Sequence, residues 1–258
     1  MKPGIKFSIL ILLCLLVAAA KGMSPPRCYY QIRVYHYKTA EQEAALDKYF
    51  KGAFQPALHR HGAWEVGVFK TIEKDTDKRF YVLITLPFKS TLQKLETRLA
   101  KDQQYQTDAK EYFDAPYDHA PYSRMEVITL LAFKDWKIPG IPKLSASKPD
   151  RIYELRSYES PTEKYHENKI KMFNDGGEVW LFANLNFNAV FYADVLQGSH
   201  MPNLMYMTAF ENMEARDKHW EAFFGSAKWK TLIADKQYDH NVSKAEIIFL
   251  HPTEYSDL

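Results

Sequence analysis

The chain has 258 residues, 46% of them apolar and 26% charged, which is the balance of a globular protein with an ordinary core and excludes a disordered or collagen-like chain. Its formal charge is +2, with no run or stripe of Lys and Arg, so nucleic acid is not an expected partner. Two cysteines exclude a disulfide-stapled scaffold.

The first element is MKPGIKFSILILLCLLVAAA, Met1 to Ala20, with Lys2 and Lys6 ahead of an apolar run and three alanines behind it. That three-part pattern predicts a secretory signal over residues 1–22, cleaved after Ala20 or Gly22, and a secreted or periplasmic protein. The run falls short of the ~20 apolar residues that span a bilayer, so no transmembrane anchor is expected after cleavage. Cys14 leaves with the signal, and Cys28 alone cannot form an intrachain disulfide. Losing Lys2, Lys6 and Lys21 turns the formal charge from +2 to −1.

Tyr30 to Tyr37 alternates as a strand. Thr39 is a candidate N-cap for a helix whose apolar stripe is Leu46, Tyr49, Phe50 and Phe54 and whose stop is Gly62. Glu65–Lys70 and Phe80–Leu86 read as strands joined by a polar hairpin. Leu92, Leu95 and Leu99 mark a second helix, Asp108–Phe113 a short helical piece, and MEVITLLAF from Met125 the last strand. Residues 134–151, with Pro139, Gly140, Pro142 and Pro149, read as a linker.

After it the order repeats. YELRSYES at Tyr153 matches YQIRVYHY at Tyr30, displaced by 123, and SKAEIIFL at Ser243 matches SRMEVITL at Ser123, displaced by 120. Strands are predicted near Ile152, Asn186, Asn203 and Ser243, and helices near Thr162, Glu211 and Ser226. Each copy, residues 29–133 and residues 152–258, is therefore an α+β βαββαβ unit of ferredoxin-like type. Helices cover one sheet face only, so the two units are expected to face each other through their sheets as a pseudo-dimeric barrel.

GSHMPNLMYMTAFENMEARDKHWEAFFGSAKW, Gly198 to Trp229, and NVSKAEIIFLHPTEYSDL from Asn241 closely resemble the NIPSNAP family; Phe54–Phe69 and Ile152–Tyr158 are similar to its helix-end and first-strand patterns. The resemblance is strongest in the second copy. It implies the dimeric α+β barrel fold, which is shared by cofactor-free monooxygenases, haem-degrading enzymes and non-enzymatic proteins, so it leaves activity open. Animal members are associated with mitochondria and with protein partners, a setting from which an exported signal departs.

Strand parity gives the candidate site. Tyr153, Leu155 and Ser157 point to one face and Glu154, Arg156 and Tyr158 to the other, matched in the first copy by Gln31, Arg33 and Tyr35. If the polar face is the enclosed one, Arg33, Tyr35, Arg156, Tyr158, Asn188, Asn203 and Tyr206 line a barrel pocket, with Glu154, Glu126 and Glu246 as possible partners. The plain alternative is a wet face or a set of structural Arg–Glu pairs. His200 is either a hydrogen-bonded turn residue or the candidate base of a catalytic site. The hairpin around it carries Val195, Leu196 and Met201, apolar residues expected to pack against the barrel mouth or a second molecule. His59 and His61 lack a third ligand, so no metal is expected, and no glycine-rich phosphate loop or dinucleotide fingerprint implies a cofactor. Trp220, Phe223, Phe224 and Trp229 read as helix packing rather than a ligand box, and Asn241-Val242-Ser243 as a glycosylation sequon. The resulting reading is an exported barrel that binds a small molecule or a protein partner and is able to form a homodimer. The alternative is a cofactor-independent enzyme, monooxygenase- or lyase-like, for a small hydrophobic substrate.

Overall fold

A computed structural model describes residues 25–72 and 75–258, so the signal segment 1–22 lies outside the described residues. Each copy supplies four strands. The first gives β1 (Tyr29–His36), β2 (Val66–Thr71), β3 (Arg79–Leu86) and β4 (Arg124–Ala132); the second gives β5 (Ile152–Glu159), β6 (Ala189–Gln197), β7 (Asn203–Phe210) and β8 (Lys244–Pro252). They close in the order β1-β3-β2-β8-β5-β7-β6-β4, each neighbouring pair antiparallel. The two sheets meet at equivalent seams, β2 on β8 through Lys70↔His251 and β6 on β4 through Leu130↔Val195. The units therefore share one barrel instead of standing as separate beads.

The first copy's helices are α1 (Ala40–Tyr49), α2 (Gln55–Arg60), α3 (Lys89–Lys101), α4 (Gln103–Asp108) and α5 (Lys110–Phe113). Thr39 caps α1 as predicted, its side chain accepting from the Gln42 N–H, and Gly62 ends α2 with φ of 95°, a conformation that favours glycine. One wide turn, Phe50–Phe54, joins α1 to α2 and carries Phe50 and Phe54 into the core. The second copy has α6 (Glu163–Asn174), α7 (Glu178–Asn184), α8 (Met213–Gly225) and α9 (Ala227–Ala234). Periodicity missed α4 and α7, both shorter than two turns.

The barrel interior is filled. Tyr30, Ile32, Val34, Tyr153 and Leu155 meet Phe69, Phe191, Met205, Met207 and Ile248 there, with Tyr30 on Phe191 at 5.0 Å between ring centroids and Phe69 on Tyr153 at 4.8 Å. Full burial of each large side chain contributes about 1.5–3 kcal/mol. Cys28 belongs to this core, and burial, aided by Glu65, pushes its thiol up to about 11, well away from thiolate reactivity. The linker runs along β6: the Gly140 N–H donates to Val190 O, and a Cβ at Gly140 would stand 2.1 Å from Ala189 O. Residues 253–258 run along β2 in the same manner, bringing Leu258 against Phe69 and Gly67.

This interior corrects the parity argument. The alternation is as read, but the enclosed face is Tyr30, Ile32, Val34, Tyr153, Leu155 and Ser157, whereas Arg33, Tyr35, Arg156 and Tyr158 point outward beneath the helices. Both faces of these strands are dry, because one faces the barrel and the other the helix layer, so polarity does not tell them apart. The hairpin expectation holds for Val195, which is buried, and fails within this chain for Leu196 and Met201, which are about half exposed.

Candidate functional site

The most polar buried region lies between the second sheet and α6–α8. Its floor is set by strand register: Tyr192 opposes Tyr206, which opposes Arg156, and Asp194 opposes Leu204, which opposes Tyr158. Helix α6 turns His166 and Lys169 onto this floor, α7 adds Glu178, and α8 adds Arg216 and Trp220.

Part of the region is a closed charge network. Glu154, fully buried, accepts from Arg156 Nε at 2.6 Å, Arg216 Nε at 2.9 Å and Trp220 Nε1 at 2.8 Å, and the Arg156 guanidinium stacks 3.7 Å above the Trp220 ring. Burial by itself would raise the Glu154 carboxyl; the donated hydrogen bonds and the two guanidinium charges outweigh it and hold the group below the usual carboxylate range. Such a network satisfies Arg156 internally, which is the structural reading of that residue.

The rest is less closed. Arg156 Nη1 donates to Tyr158 OH at 3.0 Å, and Tyr158 OH lies 2.9 Å from Tyr206 OH. Lys169 pairs with Glu178 at 3.0 Å, both nearly without solvent contact, with the ammonium 4.8 Å from the Phe173 ring centroid. Burial raises the Glu178 carboxyl against the opposing pull of Lys169 and Arg156. Burial likewise keeps the Tyr192 and Tyr206 phenols protonated, well above their ordinary range. His166 Nε2 stands 2.8 Å from Asp194 Oδ1 while its Nδ1 is buried without a partner. Tyr192 OH, Thr208 Oγ1 and the Trp136 indole N–H, whose ring packs edge-on against Tyr192, are also buried and unpartnered. An orphaned buried polar group costs about 1–3 kcal/mol; Tyr30 OH and Tyr153 OH inside the barrel and Asn203 Oδ1 at its mouth are unpartnered in the same way.

The structure thus brings Arg156, Tyr158 and Tyr206 together and scatters the other candidates. Arg33 and Tyr35 sit in the first copy's helix layer, where Arg33 bonds Gln31 at 2.9 Å and pairs with Glu96. Asn188 occupies a left-handed turn (φ 46°) before β6, its side chain toward Asn186 O. Asn203 lies at the barrel mouth, donating to Ser157 Oγ at 2.9 Å. His200 is 55% exposed and 3.3 Å from Glu159, in the turn between β6 and β7. Glu126 and Glu246, offered as partners of the arginines, instead rim that mouth, taking Ser199 at 3.2 Å and Arg79 at 3.8 Å from the opposite copy's hairpin. His59 and His61 are held by Asp257 and Asp102, and among the described residues no group of three His, Cys, Asp or Glu side chains is placed to hold a metal ion. Of the aromatic set, Trp220 and Phe223 are core while Phe224 is exposed. Asn241 of the sequon is buried, its carbonyl oxygen accepting from Asn168, so it is closed to glycosylation in the folded chain.

Sequence reasoning missed His166, Asp194, Lys169 and Glu178. A signal existed in the duplication: where the second copy has Lys169, Tyr192 and Tyr206, the first has Leu46 on its helix and Val68 and Val82 on its strands, Val68 opposing Val82 and Val82 opposing Arg33 in the same register.

Residues 153–257 match the NIPSNAP family model. The second repeat belongs to the NIPSNAP family. The polar layer is thus that of the NIPSNAP repeat. A solved NIPSNAP family protein from Agrobacterium tumefaciens is 20% identical, covering 42% of this chain and 98% of its own, with a TM-score of 0.38. Over the whole barrel the chain is similar in fold to a "putative monooxygenase" from Lactobacillus acidophilus, 11% identical, TM-score 0.60, covering 88% of this chain and 94% of that one. A second protein of the same name from Fusobacterium nucleatum is 8% identical, TM-score 0.56, covering 89% and 94%. No curated protein matches the chain.

Proposed function

We propose that the chain binds a small oxygen-rich organic molecule in the polar layer of its NIPSNAP repeat, not in the barrel interior. The observation that supports this is the asymmetry between the copies: Leu46, Val68 and Val82 are apolar core in one where Lys169, Tyr192 and Tyr206 stand in the other, and the first copy's Glu43–Lys70 edge pair is replaced by His166–Asp194. Donors outnumber acceptors in the layer, so the ligand is an anionic-oxygen compound such as a carboxylate, phenolate or enolate. Helix α6 also borders an open concavity of about 750 Å³, lined by Lys164, Asn168, Lys171, Gln237 and His240 and by none of the layer's residues. The test is a screen of such compounds against wild type, Tyr192→Phe and Lys169→Met, with binding expected to weaken at least tenfold in the lysine variant; equal affinity for all three overturns the assignment.

A second reading is enzymatic, and it is favoured by the His166–Asp194 pair: the carboxylate orients the ring and leaves a buried nitrogen free to take a proton. Turnover lost in His166→Gln and retained in His200→Gln would support it. Export belongs to the same proposal, checked by the N-terminal residue of the secreted chain, as does self-association through Leu196 and Met201, checked by light scattering of a Leu196→Ser, Met201→Ser variant.

A further inference from the structure

Helix α3 of the first repeat carries positive charge that no side chain answers. Thr91, Leu95 and Leu99 are its buried side, and helical spacing puts Lys94, Arg98 and Lys101 together on the flank that faces the end of α2. Glu96 lies on the opposite flank, where it pairs with Arg33. Among the described residues Lys94 and Lys101 have no carboxylate partner, and the Arg98 guanidinium reaches only the His61 carbonyl, at 3.4 Å. The one acid on this side is already engaged: Asp102 accepts from Arg60 at 2.8 Å and from the Tyr105 N–H at 3.0 Å, and lies 2.9 Å from His61 Nε2. An open concavity of about 460 Å³ between α3 and the end of α2 is lined by His61, Lys94, Thr97, Arg98, Lys101 and Asp102.

Two large aromatic side chains stand exposed on the same helix and the loop beside it. Phe88, 53% exposed, is the N-cap residue of α3, and Trp64, 48% exposed, lies on the loop from α2 to β2. That loop is fixed in place, since a Cβ at Gly62 would stand 3.7 Å from Thr91, His61 O accepts from Arg98, and the Trp64 N–H donates to Thr85 O at 2.9 Å. The fold does not require the cations. Helix α8, the counterpart of α3 with the same 13 residues, has Lys218 in place of Lys94, held by Glu214 at 2.6 Å, and Ala222 and Gly225 in place of Arg98 and Lys101.

The spacing selects the partner. Lys94 and Lys101 are exposed and two helical turns apart, ~10 Å along the axis, so they reach separate anionic groups and do not converge on one. Cations spread along a surface, with Trp and Phe beside them, match an anionic lipid interface: the ammonium and guanidinium groups meet headgroup phosphates, and the rings enter the boundary between headgroups and acyl chains. We infer that this face of the first repeat docks on an anionic phospholipid membrane. The helix layers of the two repeats lie on opposite sides of the barrel interior, so a chain seated in this way turns its NIPSNAP layer away from the lipid. The docking face shares no residue with that layer and is independent of what the layer binds.

The experiment floats the full mature chain with phosphatidylcholine vesicles containing about one-third phosphatidylglycerol, and with vesicles of phosphatidylcholine alone. Binding is expected to the anionic vesicles only and to be released by raised salt. Each Lys or Arg near such a surface contributes about fivefold in affinity, so a Lys94→Gln, Arg98→Gln, Lys101→Gln variant should bind about a hundredfold more weakly. A Lys94→Arg, Arg98→Lys, Lys101→Arg variant keeps the charge and should bind as wild type does. All three positions are exposed, so equal melting temperatures are expected and confirm the fold. Tryptophan emission should shift to the blue on the anionic vesicles, with most of the change missing in Trp64→Phe. No preference for the anionic vesicles, wild-type affinity in the glutamine variant, or release by inorganic phosphate at constant ionic strength, the sign of a discrete phosphate site, would overturn the inference.

Discussion

The two repeats share one order of strands and, apart from irregularities at Thr129/Leu130 and Ala189/Phe191, one pairing register, yet they bury different chemistry under their helices. In the first, Leu46, Val68 and Val82 close an apolar layer, Gln31 takes the place of a carboxylate, and the ion pair at the sheet edge is Lys70 with Glu43 at 2.9 Å. In the second, Glu154 stands where Gln31 stood, and the corresponding edge pair is Asp194 with His166. A duplicated fold needs only one stable layer pattern, and apolar packing supplies it with less risk than buried charge. The copy that departs from that pattern is the one we propose binds the ligand.

The largest expected effect is on the charge network. Glu154→Leu leaves Arg156 and Arg216 buried without their carboxylate and should cost about 3–5 kcal/mol in urea unfolding, whereas Gln31→Leu removes one hydrogen bond and should cost about 1 kcal/mol. Equal costs would mean that the two layers are not energetically different. Replacing both members of the other pair, Lys169→Met with Glu178→Leu, makes the second layer resemble the first. Stability should then be unchanged or rise by about 1–4 kcal/mol, with binding in the layer lost; strong destabilisation would show that the pair is structural.

A smaller effect concerns acid. The folded Glu154 carboxyl is held below its unfolded value of about 4.3, so its contribution is complete above that pH and disappears as pH falls through the folded value. Glu154→Gln should therefore flatten this part of the acid limb of stability against pH, whereas Gln31 at the equivalent position has no carboxyl to contribute; the first repeat's own acid limb comes from Asp102, held down to about 2 by the Tyr105 N–H with Arg60 and His61. The smallest change is Tyr192→Phe, which deletes an unpartnered hydroxyl and should leave the melting temperature equal or raise it. A loss above about 1 kcal/mol would show that the hydroxyl has a partner.

The same comparison explains what the sequence disclosed. Alternation in Tyr30–Tyr37 and Tyr153–Ser160, the capped helix after Thr39 and the displacement near 120 made the duplicated unit and its elements readable, since each reflects local backbone chemistry. Which face of β1 and β5 entered the barrel was not readable, because both faces are dehydrated and the more polar one lies under helices that carry matching charge, such as Arg216 and Trp220 on α8. Helix α6 concealed His166 and Lys169 for a related reason: EKYHENKIKMFN reads as a solvated charged helix, and burial of its polar side depends on strands far away in sequence. Only position-by-position comparison with Leu46, Val68 and Val82 carries that information.

The central claim is that the NIPSNAP repeat's helix-covered layer, and not the barrel interior, is where an oxygen-rich ligand binds. Chemical-shift mapping of a carboxylate or phenolate hit on the full mature chain tests it most directly. The account predicts shifts centred on His166, Lys169, Tyr192 and Tyr206 that vanish in Lys169→Met; shifts centred on Tyr30, Phe191 and Tyr153 inside the barrel, indifferent to that substitution, would contradict it.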